Sequence, residues 1–197
     1  MLLLLGGVAS TDVTRCACAP GPEIGRWCEM HERGYVGPFE ITSKRLYETL
    51  DAHGHDLKLD SFTCPTCRQA IESDGLCEAH KIGFVSGQAY FSVLTFHLAK
   101  GERREPSDLE CPVCRENAES HGWCEACGVG MVGHTAIADE ADYARVLRAI
   151  EVLHMAIDAA ERCEDCALAI ITDTRCPVCR ILYKDGKPLE PAEPAER

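Results

Sequence analysis

Aromatic residues are scarce in this chain. Phe, Trp and Tyr make up only 6% of its 197 residues, although 46% of the residues are apolar. A chain of this length fits one domain or several small ones, so size alone does not choose between them. With few large rings and 14 cysteines, we expect several small units held by cross-links rather than one large aromatic core.

Positive charge is also in short supply. The formal net charge is −12, and the densest basic segment, "KGERRE" at 100–105, contains two glutamates of its own. Affinity for nucleic acid comes mostly from clusters of Lys and Arg, so this charge disfavours nucleic acid as the main partner. We expect protein partners and keep a nucleic-acid-associated role as a second alternative.

No apolar run is long enough to predict a transmembrane span. The opening "MLLLLGGVAS" is too short to cross a bilayer but long enough for the core of a signal peptide, although it lacks a positively charged start. Val8 and Ser10 would suit cleavage before Thr11, and residues 1–10 would then indicate an exported or periplasmic protein. The alternative is a disordered or strand-forming apolar N-terminus of a cytoplasmic protein.

Familiar catalytic motifs are missing as well. The sequence shows no nucleophile triad, no phosphate-binding glycine loop and no Cys-x-x-Cys-His haem signature. We therefore expect a protein that is not an enzyme. Thiol–disulfide chemistry at Cys-x-x-Cys pairs is the first alternative, although no pair has the βαβ context of a thioredoxin-like protein.

The 14 cysteines fall into four sets with one spacing. In each set two close pairs are separated by nine residues, and the first two sets carry histidine at the fourth position. The sets are Cys16, Cys18, Cys28 and His31; Cys64, Cys67, Cys77 and His80; Cys111, Cys114, Cys124 and Cys127; and Cys163, Cys166, Cys176 and Cys179. The first set departs from the others because its first pair is Cys-x-Cys.

Histidine at the fourth position indicates a metal. A disulfide cannot use histidine, whereas a tetrahedral zinc site accepts thiolate or imidazole at the same position. The exchange of Cys for His at one fixed offset therefore predicts that His31 and His80 are ligands. Four sets of four ligands predict about four zinc ions per chain.

The sets belong to an internal repeat. The third ligand advances by 49, 47 and 52 residues from one copy to the next. A glycine follows the last ligand by three residues in the first three copies, as Gly34, Gly83 and Gly130, and the fourth copy has Leu182 there.

Two close cysteine pairs joined by a brief spacer resemble the zinc-ribbon and zinc-knuckle family over about sixteen residues per copy. The resemblance implies structural zinc. Pro65, Pro112 and Pro177 each follow a cysteine and should preset a tight turn, and backbone N–H groups after the cysteines could bond to the thiolates. The nine-residue spacer matches the length of a short β-hairpin that would fold one pair over the other.

Helices are predicted between the ribbons. Residues 139–161 carry an apolar stripe at helical spacing, with Asp139 as N-cap. "TSKRLYETLDAHG" predicts a shorter helix that begins at Thr42 or Ser43 and ends at Gly54, and "SGQAYFSVLTFHLAKG" predicts a helix that ends at Gly101. The fourth repeat has no such helix after it.

The predicted fold is a small metal-stabilised α+β protein in which four tandem zinc-ribbon hairpins alternate with helices. Because one ribbon is too small to cover a helix, each helix should pack against the next unit. The predicted divisions are an apolar N-terminus at 1–15, ribbon 1 with a helix at 16–63, ribbon 2 with a helix at 64–110, ribbon 3 with the long helix at 111–162, ribbon 4 at 163–187 and a disordered tail at 188–197. Such a protein would serve as an interaction scaffold or in metal handling.

Histidines outside the four sets have no recurring partners. Among them, His53 and His55 flank a glycine and could bind metal weakly. A role in a loop is the interpretation that the sequence favours.

Overall fold

The computed structural model describes residues 27–189. Cys16, Cys18 and the apolar N-terminus therefore lie outside the described residues, as does most of the predicted tail. The described part is a mixed α/β structure with antiparallel sheets, as the sequence predicts.

Twelve strands and six α-helices follow one another in the described range. The strands are β1 Gly34–Val36, β2 Phe39–Ile41, β3 His55–Asp56, β4 Leu76–Cys77, β5 Ile82–Val85, β6 Gln88–Tyr90, β7 Glu102–Arg103, β8 His121–Cys124, β9 Val129–Val132, β10 Thr135–Ile137, β11 Leu182–Lys184 and β12 Lys187–Leu189. The helices are α1 Lys44–Leu50, α2 Pro65–Glu72, α3 Val93–Lys100, α4 Pro112–Asn117, α5 Glu140–Ala160 and α6 Glu164–Thr172.

The nine-residue spacers begin as helix rather than as a strand, so the prediction of a hairpin between the two cysteine pairs is wrong. Helices α2, α4 and α6 each start directly after the first cysteine of the second, third and fourth sets and end within the spacer, and in the second and third sets a strand, β4 or β8, then leads to the third ligand. Pro65 and Pro112 stand at the first helical position, where the missing N–H costs no hydrogen bond and the fixed φ favours helix. Proline after cysteine therefore starts a helix at these two sites.

Each of the two four-stranded sheets includes a strand from the preceding repeat. The second repeat forms a four-stranded sheet in the order β3-β6-β5-β4, and the third forms one in the order β7-β10-β9-β8. The outer strand β3 lies within the first predicted unit, yet its His55 pairs with Ala89 of the second, and Arg103 of β7 likewise pairs with Thr135 of the third. Neighbouring repeats are thus joined through their backbones.

The fourth repeat closes with the two-stranded hairpin β11-β12. Pro188 and Leu189 lie in β12, so the first two residues assigned to the disordered tail belong to this hairpin. In the described residues no helix follows it.

Helices α1, α3, α5 and α6 share one hydrophobic core. The buried stripe of α5 includes Tyr143, Val146, Ile150 and Leu153, and it packs in one cluster with residues of the other three helices. The members from those helices are Leu46, Leu50, Leu94, Leu98, Cys166, Ala167, Ala169 and Ile170. The sequence predicts that each helix packs against the next unit, and in the structure these four helices pack together in one core.

The ends of α5 are predicted well from sequence, and those of the shorter helices less well. The Asp139 side chain accepts a hydrogen bond from the backbone N–H of Asp142 and caps α5. Ser43 caps α1 in the same way, but α1 ends at Leu50 because Asp51 adopts a left-handed conformation with φ 48°. Helix α3 ends before Gly101 as expected, whereas the start of its predicted segment forms β6.

The repeated glycine makes room for an aromatic ring. A Cβ atom added to Gly34, Gly83 or Gly130 would lie 2.6, 2.1 and 2.1 Å from ring atoms of Tyr47, Phe96 and Tyr143 respectively. In all three repeats the ring stands 13 residues after the glycine and comes from the helix that follows the sheet. This contact packs each helix against the sheet of its own repeat, and the offset of 13 could have revealed it from the sequence.

Replacing Gly130 with alanine should therefore destabilise the protein by about 1–3 kcal/mol, because the added methyl group collides with the Tyr143 ring. The cost should fall sharply in a Tyr143→Leu background, where no ring covers the strand. Urea unfolding of the parent, both single variants and the double variant measures the coupling. An equal cost of Gly130→Ala in both backgrounds would refute the ring contact as its cause.

Candidate metal centres

Three complete ligand sets assemble in the described part of the chain. They are Cys64, Cys67, Cys77 and His80; Cys111, Cys114, Cys124 and Cys127; and Cys163, Cys166, Cys176 and Cys179. In each set the four ligand atoms all lie within 4.8 Å of one another, so each set could hold a metal ion. We call them sites 2, 3 and 4, after their repeats.

The two pairs of each site come from different structural elements. The first pair lies at the start of a helix, where Cys64, Cys111 and Cys163 are the N-cap residues. The second pair lies in a tight turn that we call the ligand turn, which runs from the third ligand to the residue five positions later. Cys77 pairs across it with Ile82, and Cys124 with Val129.

The ligand turn recurs in the first and fourth repeats. The backbone N–H of Cys176 donates to the carbonyl of Ile181 at 2.8 Å, and that of Cys28 donates to the carbonyl of Arg33 at the same distance. Cys28 Sγ lies 3.5 Å from Nδ1 of His31. The second half of the first ligand set is therefore built like the others, while Cys16 and Cys18 lie outside the described residues.

The distances between sulfurs fit tetrahedral coordination. A zinc ion with bonds to sulfur of about 2.3 Å places its thiolates about 3.8 Å apart, and a sulfur about 3.6 Å from an imidazole nitrogen. Sulfurs of Cys111 and Cys124 are 3.7 Å apart, and Cys163 lies 3.9 Å from Cys176 and 3.7 Å from Cys179.

Histidine fits the same tetrahedron at site 2. Nδ1 of His80 lies 3.4 Å from Cys67 Sγ and 3.6 Å from Cys77 Sγ. A disulfide needs sulfurs about 2.05 Å apart, and none of the twelve cysteines in the described residues forms one.

Burial follows one pattern in all three sites. The first ligand is half-buried, the second and third are buried and the fourth is exposed. Cys67 and Cys77 belong to the small core of the second repeat with Ala70, Phe84 and Ala89, and Cys166 and Cys176 belong to the helical core. At sites 2 and 4, two of the four candidate ligands are therefore also core residues.

Each site contains both low-pKa and high-pKa thiols. The pKa of Cys77 is lowered to about 6, first by its hydrogen bond with the Thr66 hydroxyl, and the backbone N–H of Cys114 is the main cause that lowers the pKa of Cys111 to about 7. Although burial opposes ionisation of Cys176, the backbone N–H of Cys179 helps to lower its pKa to about 7. Burial raises the pKa of Cys67 to about 12. A cation can therefore approach an existing thiolate, and its binding must displace protons from the others.

Groups around the sulfurs support thiolates. The backbone N–H of Cys179 donates to Cys176 Sγ at 3.2 Å, which is the kind of bond that the sequence predicts. Thr66 Oγ1 lies 2.9 Å from Cys64 Sγ and 3.2 Å from Cys77 Sγ. At site 4, the buried Tyr183 hydroxyl bonds with Cys166, and this contact, followed by burial, raises the pKa of Tyr183 to about 12.

Sequence inspection missed an inversion in the fourth repeat. Sites 2 and 3 have Cys-Pro-x-Cys first and Cys-Glu-x-Cys or Cys-Glu-x-His second, whereas the fourth set has Cys-Glu-Asp-Cys first and Cys-Pro-Val-Cys second. Proline there follows Cys176 in the ligand turn and starts no helix. Glu164 and Asp165 occupy the first turn of α6, where negative charge favours the helix dipole.

Comparisons of the chain with family models, curated proteins and solved structures give no match. The likeness to zinc ribbons thus rests on the ligand spacing and the geometry of the three sites. Among the described residues, no helix combines the length and apolar character that crossing a membrane requires.

Proposed function

We propose that this chain is a non-enzymatic zinc protein that uses four tandem metal sites to hold an interaction scaffold together. One observation carries the proposal: the distances between ligand atoms in sites 2, 3 and 4 are those expected between the ligands of a tetrahedral zinc ion. The remaining site, in the first repeat, would consist of Cys16, Cys18, Cys28 and His31. Cys28 Sγ and His31 Nδ1 lie 3.5 Å apart, which matches the distance expected between two zinc ligands.

A structural role for the metal is supported by where the ligands lie. Four of them are core residues, so a metal ion at sites 2 and 4 would stabilise packing as well as local turns. Each site also has four protein ligands, and a catalytic zinc needs an open coordination position. Both features favour retention of zinc over its transfer or use in catalysis.

Contacts between repeats support the idea of one scaffold. Arg45 of α1 forms ion pairs of 2.9 and 3.0 Å with Glu164 and Asp165, the two residues between the first ligands of site 4. Lys81 follows the His80 ligand, and its Nζ forms an ion pair of 2.5 Å with Oδ2 of Asp173 at the end of α6. The metal-binding elements thus connect repeats that are distant in sequence.

A protein partner suits the surface better than nucleic acid does. Met30, Val113 and Val178 stand between ligands of three different sets and are 81%, 46% and 66% exposed. With a net charge of −12, such apolar side chains favour contact with protein surfaces.

Variants of His80 test the assignment of ligands. His80→Cys should keep zinc, because it reproduces the Cys127 arrangement of site 3, whereas His80→Ala should release one equivalent of zinc more readily and leave sites 3 and 4 filled. The expected change is in affinity and chelator resistance, since three thiolates and a water can still hold the ion. Competition with a chromogenic chelator measures it.

His134→Ala is the matched control, because His134 belongs to none of the ligand sets. It should release zinc at the parent rate. If His80→Ala also releases zinc at the parent rate, His80 is not a ligand and the assignment of His31 fails with it.

A further inference from the structure

A cluster of metal-binding side chains without cysteine lies between the first two repeats. Asp51, His53 and His55 bring one carboxylate oxygen and two imidazole nitrogens within 4.8 Å of one another. Nε2 of His55 lies 2.8 Å from Oδ1 of Asp51, and Nδ1 of His53 lies 3.4 Å from the same oxygen. The three groups therefore converge on one point.

The fold holds these residues from two sides. Asp51 ends α1 in the left-handed conformation, with its backbone N–H bonded to the carbonyl of Glu48. His55 lies in β3, whose pairing with Ala89 fixes it on the sheet of the second repeat. The cluster thus joins the end of a helix from one repeat to the sheet of the next.

The glycine between the two histidines packs closely against side chains of β6. A Cβ atom at Gly54 would lie 2.3 Å from Oε1 of Gln88 and 2.9 Å from the Tyr90 ring, so a larger residue there would have to displace the Gln88 side chain and crowd the ring. The short connection brings the imidazole rings of His53 and His55 to 4.6 Å between centroids.

An ion pair alone does not account for the arrangement. The bond between His55 and Asp51 satisfies that pair, yet a second imidazole faces the same carboxylate. Two imidazoles and one carboxylate suit zinc and its neighbours among the divalent transition metals, whereas magnesium and calcium prefer oxygen ligands.

Exchange should be easier here than at the cysteine sites. The side chains of His53 and His55 are 73% and 40% exposed, and the three donors leave coordination positions for water. Phe91 covers one side of His55, with 5.2 Å between the ring centroids.

We propose that Asp51, His53 and His55 form an additional, exchangeable site for a divalent transition-metal ion, zinc in the first instance. Bound metal would tie the end of α1 to the sheet of the second repeat, so that occupancy changes how firmly the first two repeats are joined. The site does not depend on the cysteine sites, and its failure would leave their zinc content unchanged.

The test uses the full-length, ¹⁵N-labelled protein with its tightly bound metal measured beforehand. Zinc chloride is added in a weakly coordinating buffer while correlations of the histidine ring nitrogens are followed by NMR. The signals of His53 and His55 should shift together and saturate after one further equivalent. Signals that stay unmoved up to millimolar zinc would overturn the proposal.

Asp51→Asn is the sharpest variant, because asparagine tolerates the left-handed conformation and can still accept a hydrogen bond from His55. Without added zinc, Asp51→Asn should melt at the parent temperature. It should bind the extra ion about 10- to 100-fold more weakly, because losing even a group that only supports the ligands of a metal weakens binding by this factor. His53→Ala should weaken binding similarly, and His134→Ala should not. Parent-like affinity of Asp51→Asn and His53→Ala would contradict the site.

Discussion

Removing the metal from the native protein should unfold the sheets and ligand turns around sites 2, 3 and 4. The core of the second repeat consists of Cys67, Ala70, Cys77, Phe84 and Ala89, so two of its five buried residues are ligands. Without metal this core has too little apolar area to hold three short strands and α2. Binding of structural zinc contributes on the order of 10–16 kcal/mol in small zinc domains, which is as large as the whole stability of a typical domain.

The loss of ordered structure after removal of the metal should be uneven along the chain. Strands β4, β5, β8 and β9 should lose their order first because they carry the ligand turns, whereas α5 has 21 residues and a long apolar stripe and should keep part of its helicity. Circular dichroism and backbone NMR after chelation under reducing conditions would show both changes. Refilling with zinc should restore the spectra, while magnesium should not. A melting curve that stays the same after complete removal of zinc would show that the metal is incidental.

Truncating the buried ligand Cys166 should destabilise the protein strongly. Cys166 is 5% exposed, lies in α6 within the helical core and contacts Tyr183. Cys166→Ala removes a ligand and a core group together, and a water cannot readily reach this buried position to replace the sulfur, so we expect site 4 to lose its zinc. The free energy of unfolding should fall by about 4 kcal/mol or more, because loss of a metal site is one of the few causes of such large effects.

Cys179→Ala is the matched control within the same site. Cys179 is an exposed ligand outside the helical core, so its truncation leaves three thiolates and intact packing. It should weaken zinc binding and lower the stability by less than Cys166→Ala does. Chemical unfolding, with zinc measured in each folded variant, separates the two. If Cys166→Ala keeps its full zinc content and the stability of the parent protein, the assignment of site 4 as a zinc site is wrong.

Three of the four candidate ligand sets and the longest helix could be predicted from sequence for simple physical reasons. A metal site needs several donors at fixed spacing, and the fourfold recurrence of that spacing makes it visible in one chain. Helix α5 is long, periodic and capped by Asp139, and each of these features is local.

The helices α2, α4 and α6, which lead into the spacers, could not be predicted in the same way. Cysteine is not among the usual N-cap residues, and Cys64 and Cys111 make no side-chain capping bond, so nothing before the proline indicates a helix. Strands β3 and β7, which join the sheet of the following repeat, have two residues each and depend on pairing with a later part of the chain. Their positions follow from tertiary contacts that no local pattern records.

Metal content and free thiols of the freshly purified, untagged native protein test the central claim most directly. Elemental analysis should find zinc at three or more ions per chain, with about four if Cys16 and Cys18 complete the first set. Mass measurements should show all 14 cysteines as thiols once the metal is removed. One zinc ion or none, together with seven disulfides, would contradict the account.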